Sequence, residues 1–323
     1  MKRIILAFVA LGGCLLLNAQ ETKLAQFGLI TDTHVCDKAD QSPVISLNAT
    51  PRYFTGGLAK IEAFAKAMNV RGAAFVAELG DWTDDPADPS LSVDQRLASA
   101  KGFAGSAEAK LALFKGPRYH VFGNHDTDLM SKDDYLTQIS NNGIAGQASY
   151  YSWKAGGVHF IVLDADFKTD GSSYSGRAGD PGAGYAWDDA NLSPAEVAWL
   201  KADLSSNKLP TIVFVHQPLN PQELIDPAFD PHYAARNAAD VRSLLEKSGT
   251  VIAVFSGHYH DGGYQLVNGI PYVVLQASCA YGNDVAYHNQ YAFVEVYQDG
   301  KNCKVVVDGN GLQRSYVLRA SLK

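Results

Sequence analysis

The chain has 323 residues, 46% hydrophobic and 19% charged, with 29 Gly and 13 Pro. That Gly and Pro share sits close to the ~12% of ordinary globular chains, which excludes collagen-like, low-complexity and disordered architectures. The net charge of −7 (27 Lys and Arg against 34 Asp and Glu) offers nucleic acid no basic surface, while leaving room for clustered carboxylates that bind metal.

Lys2 and Arg3 precede an uncharged run from Ile4 to Leu17, and the stretch closes on Asn18-Ala19-Gln20. A short basic start, an apolar core and a small exit residue describe a signal peptide, residues 1–19, cleaved after Ala19. The run falls short of the ~20 apolar residues of a transmembrane helix, so no membrane span is expected. A rival reading takes Leu11-Gly12-Gly13-Cys14 as a lipobox that would place a lipid anchor on Cys14. Against it, Leu15-Leu16-Leu17 continues the apolar segment and no polar tether follows. The expectation is a single domain over 20–323, periplasmic or extracellular, its charge reaching −9 once Lys2 and Arg3 are removed. Cys36, Cys279 and Cys303 then remain, an odd set that permits at most one internal disulfide and reads first as small buried apolar residues.

Five apolar runs follow, each ending on polar residues. Ala25–Ile30 leads into Thr31-Asp32-Thr33-His34, and Ala73–Leu79 into Gly80-Asp81-Trp82-Thr83-Asp84. Arg118–Phe122 leads into Gly123-Asn124-His125-Asp126, Thr211–Val215 into His216, and Val251–Phe255 into Ser256-Gly257-His258-Tyr259-His260. Near-continuous apolar runs are the mark of strands buried on both faces. Helical periodicity fills 54–69, 91–114, 193–205 and 234–247 between them, the third opening on Ser193-Pro194-Ala195-Glu196, an N-cap signal with Pro at N1. Strands alternating with helices predict an α/β core with ligands at the carboxyl ends of the strands. Residues 263–276, 291–298 and 302–308 read as strands without intervening helices, Asp299-Gly300 being a hairpin signal, so a mixed or antiparallel sheet should complete a β-sandwich.

Five of the nine histidines stand at strand exits, joined there by Asp32, Asp81, Asp84, Asn124 and Asp126. Nitrogen and oxygen donors without thiolates suit Zn, Mn or Fe. Asp32, His34, Asp81, Asn124, His216, His258 and His260 exceed the ligand count of one ion, whereas two ions ~3.5–4 Å apart sharing a carboxylate use such a set naturally. The histidines His120 and His159 lie inside apolar strands and read as core residues, and Trp82 and Tyr259 as wall packing.

Asp32-x-His34, Gly80-Asp81-x-x-Asp84, Gly123-Asn124-His125-Asp126, His216 and Gly257-His258-x-His260, in this order, resemble the calcineurin-like metallophosphoesterase superfamily, over residues 24 to about 308. The resemblance implies a four-layer αββα fold, a sandwich of two mixed sheets flanked by helices, with the metal site at the strand C-terminal ends. It implies a first ion on Asp32, His34 and His260, a second on Asn124, His216 and His258, and Asp81 bridging both. His125 would stabilise the transition state or protonate the leaving group, Asp126 would orient it, and Asp84 would be an outer acidic residue. The chemistry implied is metal-activated hydroxide attacking phosphorus in line. Asp84 stands where purple acid phosphatases carry an iron-binding Tyr, which disfavours that branch. Phe27-Gly28-Leu29-Ile30, Arg52-Tyr53, the run Gly257–Tyr264 and Tyr291-Ala292-Phe293 are similar to the manganese-dependent ADP-ribose/CDP-alcohol diphosphatase branch, except that His34 replaces its usual Gln.

The expected function is a secreted binuclear hydrolase of a small phosphorylated substrate, leaning to phosphodiesters or nucleotide diphosphates. A phosphomonoesterase on the same site and a non-catalytic binding protein of the same fold are the alternatives. The Gly-, Ser- and Asp-rich segment from Ala165 to Asn191, with Tyr174, Arg177, Tyr185 and Trp187, reads as a substrate-covering loop. Arg177 of this segment, or Arg52 from earlier in the chain, is available to pair with a second phosphate.

Overall fold

The computed structural model describes residues 21–41, 50–146, 148–174, 189–221 and 231–323. The signal segment with Cys14, and Arg177, Tyr185 and Trp187 of the expected covering loop, lie outside the described residues.

Alternation along the strands sets up the layers. On β2 (Phe75–Glu78), Phe75 and Ala77 face one core while Val76 faces another. On β6 (Thr211–Phe214), Ile212 and Phe214 point into the same shared core and Val213 points outward. Among the described residues, two six-stranded sheets result. The first runs, in spatial order, β12 (Tyr316–Ser321), β11 (Asn302–Asn310), β10 (Tyr291–Asp299), β1 (Thr22–Ile30), β2 and β3 (Arg118–His120). The second runs β4 (Tyr151–Ala155), β5 (Val158–Val162), β6, β7 (Val251–Ser256), β9 (Ile270–Val274) and β8 (Gly263–Val267). Strands β1, β2 and β3 are parallel, as are β5, β6, β7 and β9, while the remaining pairs are antiparallel. Both sheets are therefore mixed.

Helices α1 (Gly57–Arg71) and α2 (Val93–Leu111) cover the first sheet through Ile61, Phe64, Met68, Ala104 and Leu111, and the short α3 (Lys132–Leu136) joins that layer through Tyr135. Helices α4 (Pro194–Ser206) and α5 (Ala238–Ser248) cover the second through Leu200, Leu204, Val241 and Leu245. The order is helix, sheet, sheet, helix, as expected. Between the sheets lies an aromatic stack: Phe27 on Phe75 at 4.8 Å, Trp153 on Tyr119 at 3.8 Å and on Phe160 at 5.2 Å. Such pairs add about 0.5–1.5 kcal/mol each beyond area burial.

Local signals act as predicted in most places. Ser193 Oγ accepts from Glu196 N at 3.2 Å and so starts α4. The Glu196 carboxylate does not close a capping box; it accepts the Asp164 N–H at 2.8 Å and ties the helix to the end of β5. Helix α5 begins at Ala238, later than the periodicity suggests, because Asn237 spends its side chain on both backbone groups of Leu192. The β4–β5 hairpin, β12 and α3 were not in the expected set. No disulfide joins Cys36, Cys279 and Cys303; the last two are buried and Cys36 is half-buried. Among the described residues, no helix is long and apolar enough to cross a membrane.

Candidate active site

The exits of β1, β2 and β3 from one sheet and of β6 and β7 from the other meet at one rim. The backbone is forced there: Asp32 (φ 52°), His34 (46°), Asp81 (54°) and His258 (69°) all take left-handed conformations. Each such residue costs on the order of 1–3 kcal/mol and persists only when its surroundings over-determine it. Asp32 N donates to Gly80 O at 2.9 Å, His34 N to Asp81 O at 3.0 Å and Cys279 N to Asp32 O at 3.0 Å, locking the exits together. Two glycines permit the approach. A Cβ on Gly123 would stand 2.0 Å from Asp81 N, and one on Gly257 would stand 2.1 Å from Thr31 Oγ1.

Asp81 Oδ2 lies 3.2 Å from His216 Nε2 on one side and 3.6 Å from His34 Nε2 on the other. His216 Nδ1 donates to Leu79 O at 2.7 Å, which turns Nε2 toward Asp81. His260 Nε2 is 3.4 Å from Asp32 Oδ1 and 3.3 Å from His34 Nε2. Asp32 also accepts from Thr31 Oγ1 at 2.6 Å and from His258 N at 3.1 Å. Among the described residues four sets of potential donors lie within 4.8 Å of one another: His34, His260 and Cys279; His34, Asp84 and His125; and two that share Asp81, namely Asp32 with His34 and Asp81, and Asp81 with His216 and His258. Asn124 comes from the same rim; its buried Oδ1 has no hydrogen-bond partner among the described residues.

These residues fit a pair of divalent ions. Two ligands each ~2.1 Å from one ion at a tetrahedral angle stand ~3.4 Å apart, and the facing donors here show that spacing. The unpartnered Asn124 oxygen supplies one further donor of the right kind. The field of the site also favours cations. Burial raises the Asp32 carboxyl, but the His260 hydrogen bond and the His216 charge hold it down at about 2. Burial pushes His216 down, yet Asp81 outweighs it and carries the imidazole up to about 10. His34 goes the other way, to about 3, through burial and then the Arg52 guanidinium.

Asp84 anchors the outer wall. It receives His34 Nδ1 at 3.2 Å, Arg52 Nη1 at 3.1 Å, Lys38 Nζ at 2.8 Å and Asp85 N at 2.7 Å. His125 N donates to Asp81 Oδ1 at 2.9 Å, and its ring sits 4.9 Å from that of His34. The expected support of His125 by Asp126 is not found. Asp126 is buried and turned back to accept Gly123 N at 3.0 Å and Thr83 N at 3.1 Å. The tight turn over Asn124–Thr127 brings position i+3 alongside His125, so Nδ1 meets Asp128 Oδ2 at 2.7 Å. Asp126 therefore shapes the backbone of the motif and not the ring.

Asp128, Lys38 and Cys279, whose Sγ lies 4.0 Å from His260 Nδ1, escaped sequence reasoning. The His-x-x-Asp spacing from 125 to 128 was the available signal for the first. The wall and core readings hold: Trp82 is fully buried, His120 lies between Glu78 and Glu108, and His159 rests on Asp203 at 3.1 Å. Tyr233 packs edge-on against His258 at 5.2 Å and against Tyr259 at 5.6 Å.

Comparison with known proteins gives the same reading. A manganese-dependent ADP-ribose/CDP-alcohol diphosphatase of Arabidopsis thaliana is 23% identical over 316 residues, covering 87% of this chain and 94% of its own. A Bos taurus protein of the same name is 24% identical over 335 residues, covering 90% and 92%. Among solved structures, a dimetal phosphatase from Danio rerio superposes with a TM-score of 0.70 at 21% identity, over 94% of this chain and all of that one. A purple acid phosphatase from yellow lupin seeds reaches 0.54 at 15% identity, over 94% of this chain and 54% of that one. The family model for calcineurin-like phosphoesterases matches residues 25–262, and with the donor set described above the chain belongs to that family, a hydrolase of phosphoric esters whose cofactors are two divalent metal ions.

Proposed function

We propose that the chain is an exported hydrolase of a phosphodiester or nucleotide diphosphate. Asp32, His34 and His260 would hold one ion, Asn124, His216 and His258 the other, and Asp81 both. The observation that carries the reading is the single oxygen, Asp81 Oδ2, placed between His34 and His216. The ions supply Lewis acidity toward the phosphoryl oxygens and a water made nucleophilic near neutral pH. The protein's own groups orient the substrate. His125 Nε2 is buried without a hydrogen-bond partner among the described residues, ready to protonate the leaving oxygen. Arg52 and Lys38, both partly exposed and fixed by Asp84, form a cationic wall suited to a second, non-scissile phosphate. The names of the relatives support a diphosphate substrate and manganese as the working metal.

The deciding experiment measures kcat/KM of the manganese-loaded enzyme for ADP-ribose, a CDP-alcohol, an aryl phosphodiester and an aryl phosphomonoester. Diphosphate or diester turnover should exceed monoester turnover, vanish with chelator and return with Mn²⁺. Equal or better monoester turnover overturns the substrate assignment, and a two-ion protein inert to every ester overturns catalysis itself. Export predicts that the mature protein begins at Gln20; a retained Met1 or a lipid-modified Cys14 overturns that cleavage.

A further inference from the structure

We infer that Lys60, a residue beneath the site, is a positioning residue for the non-scissile phosphate: it clamps the strap of residues 277–282 against which Arg52 is held, an assignment that rests on the diphosphate reading above.

A buried charge without a carboxylate is the starting observation. Lys60 lies on α1 and is fully buried, a setting lysine almost never takes unless it is paired. Among the described residues it forms no ion pair. Its ammonium donates instead to two backbone carbonyls, Ser278 O at 2.5 Å and Gly282 O at 2.6 Å. A charge removed from water persists only when such bonds replace its hydration, so the two carbonyls and the helix are fixed to one another. The start of α1 adds to the clamp, because Gly56 N donates to Asn283 Oδ1 at 3.1 Å.

The same strap builds the rim. Ser278 N donates to Thr31 O and Cys279 N to Asp32 O, each at 3.0 Å, and Tyr53 N donates to Cys279 O at 2.7 Å. Arg52 pairs with Ala280 in a β-bridge. Between the two clamped carbonyls, Tyr281 holds a left-handed φ of 69°, a strained state that persists only where its surroundings impose it. Arg52 is thus held at its backbone by the strap and at its guanidinium by Asp84 Oδ2, 3.1 Å away. Without the ammonium, Ser278 O and Gly282 O lose their donors in a dry site, the strap relaxes, and the backbone of Arg52 moves with it. The metal donors are less dependent on the clamp. Asp32 N still donates to Gly80 O, and its carboxylate still receives His258 N.

The test uses Lys60→Met, close in shape but without donors, as the manganese-loaded enzyme. For a nucleoside diphosphate ester KM should rise about tenfold, while an aryl phosphodiester with a single phosphate keeps the parent's kcat and KM and two ions stay bound. A merely structural role would cost both substrates alike. In an Arg52→Gln background the effect of Lys60→Met on the diphosphate KM should disappear, because both changes act through one contact. The unmutated protein gives a readout free of turnover and of any folding defect. Burial lowers the Lys60 amine to about 8, so at pH 6.5 it carries its charge. Its ¹⁵N ammonium signal should shift on adding methylenediphosphonate, a diphosphate probe that is not hydrolysed, and stay in place with inorganic phosphate. Equal losses on both substrates, ions lost in step with rate, or additive effects in the double variant overturn the assignment. So does an ammonium signal blind to the diphosphonate, which alone decides the matter if Lys60→Met does not fold. A parent enzyme that prefers the single-phosphate ester would refute the diphosphate reading, while the nitrogen signal would still show whether Lys60 is coupled to the wall.

Discussion

Asp81 receives the backbone N–H of His125 on one oxygen and faces two imidazoles, from opposite sheets, with the other. Its neutral isostere keeps one acceptor and loses the charge that screens two dications from each other. Asp81→Asn should therefore bind fewer than two ions per chain and lose rate with them, by metal analysis alongside activity; an Asn variant with two ions and normal turnover refutes the shared position. Proton uptake gives a second handle. In the metal-free protein His216 titrates at about 10, so near pH 8 its imidazole is charged, and an ion can take Nε2 only after that proton leaves. Metal loading should release protons, seen as a binding enthalpy that varies with buffer ionisation heat, and affinity should climb about tenfold per pH unit below 10. Unchanged heat across buffers contradicts this. The seven candidate donors could be picked out because each follows a strand within a few residues. Asp128 and Lys38 could not, since a tight turn chose residue 128 over its neighbour 126, and Lys38 reaches Asp84 only through the folded loop.

The elements that present the site depend on backbone contact no side chain can relieve. A methyl on Gly123 would meet Asp81 N at 2.0 Å, so Gly123→Ala must push the exits of β2 and β3 apart. Gly102, exposed within α2, has nothing within 4 Å of a new Cβ. There Ala should stabilise by up to about 1 kcal/mol through helix propensity. The pair makes a controlled comparison by thermal unfolding: Gly123→Ala should lower Tm and weaken metal binding, and Gly102→Ala should raise Tm and leave metal binding alone. A Gly123→Ala protein with parental Tm and metal content would show that the exits are not in contact. Helices α1, α2 and α4 were readable from 3/4 spacing and a cap. The β4–β5 hairpin was harder to see because β4 is only half-buried, with Lys154 exposed amid Trp153 and Ala155, so its burial follows neither strand template.

At the scale of the whole molecule, the pattern of apolar residues told which faces are buried and nothing about which strand lies beside which. Pairing β1 with β10, from the far end of the chain, follows from closing the first sheet around the shared core and has no local signal. The same topology gives the metal centre a mechanical role. Each proposed ion draws donors from both sheets: Asp32 and His34 follow β1 while His260 follows β7, and Asn124 follows β3 while His216 and His258 follow β6 and β7. Ions held this way pin one sheet to the other at the rim, where the Asp32 and Asp81 carboxylates would otherwise lie buried without counter-ions between them. A ligand present at a hundredfold over its dissociation constant adds about 2.7 kcal/mol to stability, so two such ions add about 5 kcal/mol. At about 2–4 °C per kcal/mol for chains of 150–250 residues, and less for longer ones, chelation should lower Tm by about 10 °C. A clamp makes a sharper demand than a general gain. Amide exchange should quicken on metal removal at the ends of β6 and β7 as well as β1 and β2, while the β11–β12 edge stays unchanged. Quickening confined to one sheet would mean that the ions sit on that sheet alone, and the two-sided centre would be wrong.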